Sequence, residues 1–249
     1  MDMKKQYTFE EFVKIIEALR SENGCPWDKV QTHESLRPCM MEEAAELLAA
    51  IRIYKETGNA ENMQEELGDI MLQAVMHSVI AKEEGLFTVE DVLSGISEKM
   101  IRRHPHVFGT MQVDGKEAIV QNWEEIKKQE KEGKSWITSP LREIPPELPS
   151  LTRAVKVTKK LDKLSQYHDV TTGKSKIADE KTLANILVKD AKEVQKLLCE
   201  GTKDKHELQT TISGLLRTIC QISYRAGLQP EQLLYDDIEA LIAQTEEKI

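Results

Sequence analysis

Glu42-Glu43-Ala44-Ala45-Glu46 is the stretch that decides the fold of this chain. It places Glu43 and Glu46 three residues apart, and residues at this spacing are neighbours on one face of an α-helix. Apolar residues at helical spacing follow it and predict that the helix continues into a hydrophobic core, namely Leu47, Leu48 and Ile51. We therefore expect a helix from about residue 35 to about residue 56, ended by Gly58.

A second acidic pair lies on the next predicted helix. In Glu66-Leu67-Gly68-Asp69, the acids are again three residues apart and lead into the apolar run Ile70-Met71-Leu72. The helix is expected from about residue 60 to about residue 84. Gly68 inside a helix costs about 1 kcal/mol relative to alanine, so it indicates the close approach of another helix or a ligand.

Two such pairs on a helical hairpin can bring four carboxylates to one point. Four anions repel one another strongly unless a cation lies among them. An all-oxygen set suits a hard ion, and Mg²⁺ fits best. The alternative is a solvated helix face, because acidic pairs of this spacing are frequent in a chain with 31% charged residues. Their occurrence on consecutive helices, each leading into an apolar stretch, favours the metal site.

Composition narrows the class of protein. The chain has 249 residues, of which 40% are hydrophobic, so it can form one large domain or two small ones. No apolar run reaches membrane-spanning length, and residues 1–6 lack a signal-peptide core, so we expect a cytoplasmic protein with no membrane partner. The net charge of −9 argues against binding a nucleic-acid polymer, but a bound cation would still permit a nucleotide substrate.

The rest of the N-terminal half is also predicted to be helical. Thr8 and Glu11 form a capping-box pattern before a first helix, and residues 24–34 are expected to be an ordered loop. Thr88 is expected to begin a helix that ends near Arg103, before His104-Pro105. A further short helix is expected over residues 116–131.

Four prolines between residues 138 and 150 predict a linker, because they cannot lie in one helix. After it, helical patterns are expected over residues 150–164, 180–200, 205–226 and 230–247. No stretch predicts a strand, so the fold class is all-α. We expect two domains, residues 1–137 and residues 151–249, joined by the linker 138–150.

The two halves are interpreted as tandem helical-bundle repeats, the second of them degenerate. Residues 65–71 align with residues 210–216, which puts Thr211 and Gly214 at the positions of Glu66 and Asp69. Residues 189–193 are aligned with residues 42–46, and of the four acids only Glu193, at the position of Glu46, is taken as retained. One carboxylate holds Mg²⁺ poorly, so the second half is expected to be structural or dimerising.

Five motifs are specific when taken together, namely Gly24-Cys25-Pro26-Trp27-Asp28-Lys29, Glu42-Glu43-Ala44-Ala45-Glu46, Glu66-Leu67-Gly68-Asp69, Arg102-Arg103-His104-Pro105-His106-Val107-Phe108 and Trp123-Glu124-Glu125-Ile126-Lys127. With them, nearly the whole chain from about Phe9 resembles the MazG family of nucleoside triphosphate pyrophosphohydrolases. The resemblance implies an all-α homodimer that hydrolyses a nucleoside triphosphate to the monophosphate and pyrophosphate.

The resemblance also implies roles for individual residues. It puts the metal ligands and catalytic carboxylates at Glu43, Glu46, Glu66 and Asp69. It puts the substrate contacts at Glu42, Lys99, Arg103 and Trp123. One carboxylate is expected to orient or deprotonate the water that attacks the α-phosphorus, while the two basic residues stabilise the departing pyrophosphate. The motifs do not predict which carboxylate acts as the general base. They also do not predict which nucleobase and which sugar the enzyme prefers in its substrate.

Other interpretations of these residues stay open at the level of sequence. Lys99 and Arg103 could be an ordinary basic helix end, and Trp123 a core anchor. Trp27 and Asp28 could hold their loop in place by packing and a local hydrogen bond. A di-iron carboxylate protein is disfavoured, because none of the six histidines has an acid three residues before it. The alternative function is a non-catalytic regulatory or scaffold protein with a vestigial metal site.

Overall fold

The computed structural model describes residues 6–111, 115–130, 134–168, 177–201 and 205–246, and these residues form eleven α-helices and no strand. The chain divides into two compact units, Met1–Glu130 and Lys131–Ile249. The helices of the first unit are α1 Phe9–Arg20, α2 Pro26–Lys29, α3 Arg37–Thr57, α4 Glu61–Glu83, α5 Val89–Arg103, α6 Pro105–Phe108 and α7 Gly115–Gln129. Those of the second are α8 Ser150–His168, α9 Glu180–Cys199, α10 Lys205–Arg225 and α11 Pro230–Glu246.

Helix ends follow the local signals in the sequence. Thr8 and Thr88 each form a capping box, in which the hydroxyl and the third helical residue satisfy backbone N–H groups at the helix start. Gly58 ends α3 with a φ of 74°, a left-handed conformation that glycine adopts without strain. The all-α prediction is confirmed. The expected ends at residues 131 and 247 lie outside the described residues.

Two short helices, α2 and α6, were not predicted. Each begins with a proline, Pro26 and Pro105, whose fixed φ suits the first position of a helix. Residues 24–34 were expected to form an ordered loop, and His104-Pro105 was interpreted only as the end of the helix before it. Among the described helices, none has the length and apolar character that crossing a bilayer requires.

The core of the first unit lies between α1, the start of α3 and the C-terminal half of α4. Its buried side chains are Ile16, Leu36, Val75, Met76, Val79 and Ile80. The prediction that the apolar residues after the acids of α3 are buried is wrong for Leu48, which is 69% exposed, and for Ile51, which is 46% exposed. Among the described helices, α4 is the one that packs along the length of α3, and these two side chains are not covered by it.

Arg20 fixes the loop between α1 and α3. This side chain is 5% exposed, and its Nη1 donates to the backbone carbonyls of Asp28 at 2.6 Å and Gln31 at 3.0 Å. Its Nε and Nη2 donate to Glu83 at 3.0 and 2.7 Å. Trp27 is 74% exposed, so the suggestion that its packing holds the loop is wrong. The buried arginine performs that role through backbone carbonyls.

The second unit is built on the α9–α10 hairpin, against which α8 packs, with α11 beside α8 and α10. Glu231 at the start of α11 accepts from the backbone N–H groups of Leu151 and Thr152, which ties α11 to the first turn of α8. The proline-rich segment 138–150 also belongs to this unit. Ile144 is buried, and Glu143 pairs with Lys160 of α8 at 3.2 Å, so this segment packs against the helices that follow it.

Two histidines of the first unit stack on each other. The rings of His33 and His77 are 5.1 Å apart and nearly parallel, and their Nδ1 atoms lie at 2.8 Å, a hydrogen-bond distance. At that contact one nitrogen donates and the other accepts, so the contact requires an unprotonated Nδ1 on one ring. Burial, and then the neighbouring charge of His33, lowers the pKa of His77 below its ordinary value of 6.5.

This pair predicts acid sensitivity of the fold. Because the folded-state pKa of His77 is lowered, its contribution to stability is present above pH 6.5 and is lost as the pH falls below that value. In His77→Asn, the free energy of unfolding should fall less between about pH 8 and about pH 5.5 than in the parent. Urea denaturation at both pH values measures this difference. Equal pH dependence in variant and parent would contradict it.

Candidate metal and substrate site

Three carboxylates meet between α3 and α4. Glu43 and Glu46 come from α3 and Glu66 from α4, and one oxygen from each lies within 4.8 Å of the others. We call this set the acidic trio. Glu66 is 9% exposed, Glu43 is half-buried and Glu46 is exposed, so the trio lies at the edge of the hairpin interface.

Helical periodicity explains why these side chains face each other. On α3, Glu43 and Glu46 share the inward stripe with Ala50, which is 1% exposed. On α4, Glu66 lies on the stripe that continues through Gln73 to Ile80 in the core. The inward face of each helix therefore carries acidic residues near one end, and small or apolar residues further along.

Two amide side chains support the trio, and sequence reasoning missed both. Asn62 Nδ2 donates to Glu66 Oε1 at 2.5 Å, and Gln73 Nε2 donates to Glu43 Oε1 at 3.5 Å. Gln73 is 6% exposed, and its Oε1 has no hydrogen-bond partner among the described residues. The signal in the sequence was their spacing, four residues before and seven residues after Glu66. This spacing puts polar amides on a helical face that otherwise continues into the hydrophobic core.

The other predicted acids lie beside the trio rather than in it. Asp69 is half-buried one turn after Glu66 on the same stripe of α4, but it is outside the 4.8 Å group. Glu42 is exposed and adjacent to Glu43 in sequence, so it points in a different direction around α3. Gly68 is exposed, and a Cβ there would meet no atom within 4 Å, so the predicted close approach does not occur within this unit.

A cation–aromatic cluster lies where α5 meets α7, and we define it as Arg103, Trp123, Lys127 and Glu130. Arg103 Cζ is 5.3 Å from the centroid of the Trp123 ring, and Lys127 Nζ is 5.0 Å from it. Trp123 is half-buried. Lys99 lies one turn before Arg103 on α5 and is also half-buried, so the predicted substrate residues other than Glu42 belong to this region.

Glu130, which the sequence did not single out, pairs with two arginines. Its Oε2 accepts from Arg103 Nε at 3.0 Å and Nη2 at 2.5 Å, while its Oε1 accepts from Arg102 Nε at 2.9 Å. The hydrogen bond from Arg103 is the main cause that lowers the pKa of Glu130 to about 2. No local pattern could have identified this contact, because 27 residues separate the partners.

The residues of the second unit that the sequence alignment sets against the acids of the first make other contacts. Asp190 Oδ2 of α9 lies 3.4 Å from the point where Gly214 of α10 would carry a Cβ, so the two helices approach closely there. Glu193 pairs with Lys196 at 3.3 Å. Thr211 donates to the carbonyl of Glu207. Among the described residues of this unit, no three acids, histidines or cysteines converge as the trio does.

Comparison with known proteins places this geometry in a family. Residues 31–108, which contain the acidic trio, match the family model described as the MazG nucleotide pyrophosphohydrolase domain. The chain is 48% identical to YabN of Bacillus subtilis over 153 residues, which are 61% of this chain and only 30% of that longer protein. YabN is itself described as uncharacterized.

Two further relatives are matched over most of their length. The chain is 40% identical over 227 residues to the nucleoside triphosphate pyrophosphohydrolase/pyrophosphatase MazG of Thermotoga maritima, covering 91% of this chain and 79% of that one. It is 31% identical over 226 residues to the nucleoside triphosphate pyrophosphohydrolase of Escherichia coli K12, covering 89% and 80%. The predicted family and enzyme class are confirmed. Since the likeness extends across both units, the chain as a whole belongs to the MazG family of nucleotide pyrophosphohydrolases.

Proposed function

We propose that this chain hydrolyses nucleoside triphosphates to nucleoside monophosphates and pyrophosphate, in a Mg²⁺-dependent reaction at the acidic trio. The observation that carries the proposal is the convergence of Glu43, Glu46 and Glu66 inside the segment that matches the family domain. The relatives from Thermotoga maritima and Escherichia coli are named for hydrolysis of nucleoside triphosphates, which supports the same substrate class here.

The donor set of the trio fits a hard divalent cation. Three carboxylate oxygens within 4.8 Å of one another repel unless a positive charge lies among them, and oxygen ligands suit Mg²⁺. Asp69 is the proposed fourth ligand, because it follows Glu66 by one helical turn on the same stripe. When bound, Mg²⁺ would neutralise negative charge on the phosphate oxygens of the substrate.

The chain's own residues supply the remaining functions. A carboxylate of the site orients or deprotonates the attacking water. Lys99 and Arg103 bind the phosphates that leave as pyrophosphate. Trp123 contacts the nucleotide, and the two cations near its ring place positive charge beside an aromatic surface, as binding of a base with a triphosphate requires.

We also propose that the chain forms a homodimer. Apolar side chains are exposed on both helices of the α3–α4 hairpin, among them Leu48, Ile51, Leu67 and Met71. Exposed Gly68 lies on the same hairpin and would allow another helix to approach closely. Two copies of a hairpin with an apolar outer face can bury that face in a symmetric four-helix arrangement.

The second unit is proposed to be a degenerate repeat with a structural or dimerising role. Glu193 is paired with Lys196, while Thr211 and Gly214 stand where carboxylates would be needed. Its buried residues instead serve packing, as Leu183 and Cys220 show with exposures of 1% and 0%.

Product analysis tests the proposed reaction. Attack at the α-phosphorus gives a monophosphate and pyrophosphate directly, whereas stepwise removal of the γ-phosphate gives a diphosphate first. With Mg²⁺ and a panel of nucleoside triphosphates, chromatography of early time points should show equal amounts of monophosphate and pyrophosphate. A transient diphosphate, or no hydrolysis of any member of the panel, would contradict the proposal.

Removal of single carboxylates tests the metal site. Glu43→Gln or Asp69→Asn should reduce Mg²⁺-dependent hydrolysis by at least about a hundredfold, because a ligand is lost. Without metal, both variants should be as stable as the parent or more stable, because repulsion is relieved. Kinetics across a Mg²⁺ titration and thermal unfolding measure the two effects. Glu65→Gln, at an exposed neighbouring position, is the matched control and should behave like the parent.

Separation of the two halves tests the assignment of roles. Fragments 1–137 and 138–249 should both be helical by circular dichroism. Fragment 138–249 should be inactive at any Mg²⁺ concentration, because its acids do not converge. Fragment 1–137 should retain measurable hydrolysis if sedimentation shows that it still dimerises. Hydrolysis by the C-terminal fragment would place the active site in the other half.

A further inference from the structure

We propose that Glu130 is a positioning residue that fixes the Arg103 guanidinium for contact with the substrate phosphates. The inference deepens the proposed function and rests on the assignment of Arg103 to phosphate binding. Neither the sequence motifs nor the family comparison assigns a role to Glu130, which follows the last residue of α7.

The geometry of the contact leaves part of the arginine available. Glu130 Oε2 accepts from Nε and Nη2 of Arg103, so it binds one edge of the planar guanidinium. The Nη1 amino group lies outside this contact. Because an arginine presents five donors in a rigid fork, anchoring one edge orients the remaining donors without using them.

Burial and the aromatic ring complete the restraint. The side chains of Arg103 and Glu130 are only 13% and 12% exposed, whereas that of Arg102 is 52% exposed. Trp123 lies 5.3 Å from the Arg103 guanidinium carbon, so the guanidinium is held by the ring as well as by the carboxylate. A long side chain restrained in this way loses little further freedom when a phosphate binds.

The net charge of the cluster favours a role in which Glu130 positions Arg103, rather than one in which Glu130 competes with the substrate phosphates for Arg103. One carboxylate pairs with two guanidiniums, because Arg102 Nη2 also lies 2.8 Å from Glu130 Oε1. The three groups together keep one positive charge, and Lys127 adds another near the Trp123 ring. The cluster therefore still attracts a polyanion while Glu130 holds Arg103 in place.

The test compares Glu130→Gln, Glu130→Asp and the matched control Glu125→Gln, which changes an exposed residue of α7. Inorganic pyrophosphate in the presence of Mg²⁺ is titrated into each full-length variant by calorimetry, and KM and kcat are measured with a nucleoside triphosphate. Glu130→Gln should weaken pyrophosphate binding and raise KM, each about tenfold, with a smaller change in kcat. Glu130→Asp should recover part of the loss, and Glu125→Gln should match the parent.

The Arg103→Ala background separates this inference from the proposed function. If Glu130 acts through Arg103, adding Glu130→Gln to Arg103→Ala should cause no further loss of pyrophosphate affinity. Parent-like or tighter binding by Glu130→Gln would overturn the positioning role, as would a parent that binds no pyrophosphate. A parent that binds pyrophosphate but hydrolyses no triphosphate would count against the proposed function alone.

Discussion

Mutual repulsion among Glu43, Glu46 and Glu66 is the constraint on which the functional part of the molecule depends. Like charges within a few ångströms destabilise a fold unless the helices that carry them are anchored elsewhere. That anchor is the C-terminal half of α4, where Val75, Met76, Val79 and Ile80 lie in the core of the first unit. The apolar half of one helix thus holds its acidic half in an arrangement that the carboxylates would not adopt alone.

The first unit contains two complementary clusters on helices that contact one another. The acidic trio lies on α3 and α4, and the cation–aromatic cluster lies on α5 and at the end of α7, with α4 packed against α5. Carboxylates suit a divalent cation, and guanidinium groups suit phosphate oxygens. A nucleoside triphosphate needs both kinds of partner, whereas a scaffold protein has no requirement for either.

The sequence predicted the parts of this structure that depend on local signals. Thr8, Thr88 and Gly58 set helix ends through capping and backbone conformation, so those ends were predictable to within one or two residues. The convergence of Glu43, Glu46 and Glu66 was predictable from helical spacing, whereas the position of Asp69 outside the trio depends on packing at the hairpin interface. Contacts between distant residues left no local pattern. Two such contacts are those of Glu130 with Arg103 and of Arg20 with the backbone of its loop. The exposure of Leu48 likewise depends on tertiary packing.

The most direct test of the central claim is to locate the metal itself. Crystals of the full chain soaked with Mn²⁺ as a substitute for Mg²⁺ can be measured at the manganese absorption edge. An anomalous peak bounded by the carboxylates of Glu43, Glu46 and Glu66, and within coordinating distance of them, is the predicted result. Strong anomalous density elsewhere in the chain with none between these three carboxylates would contradict it.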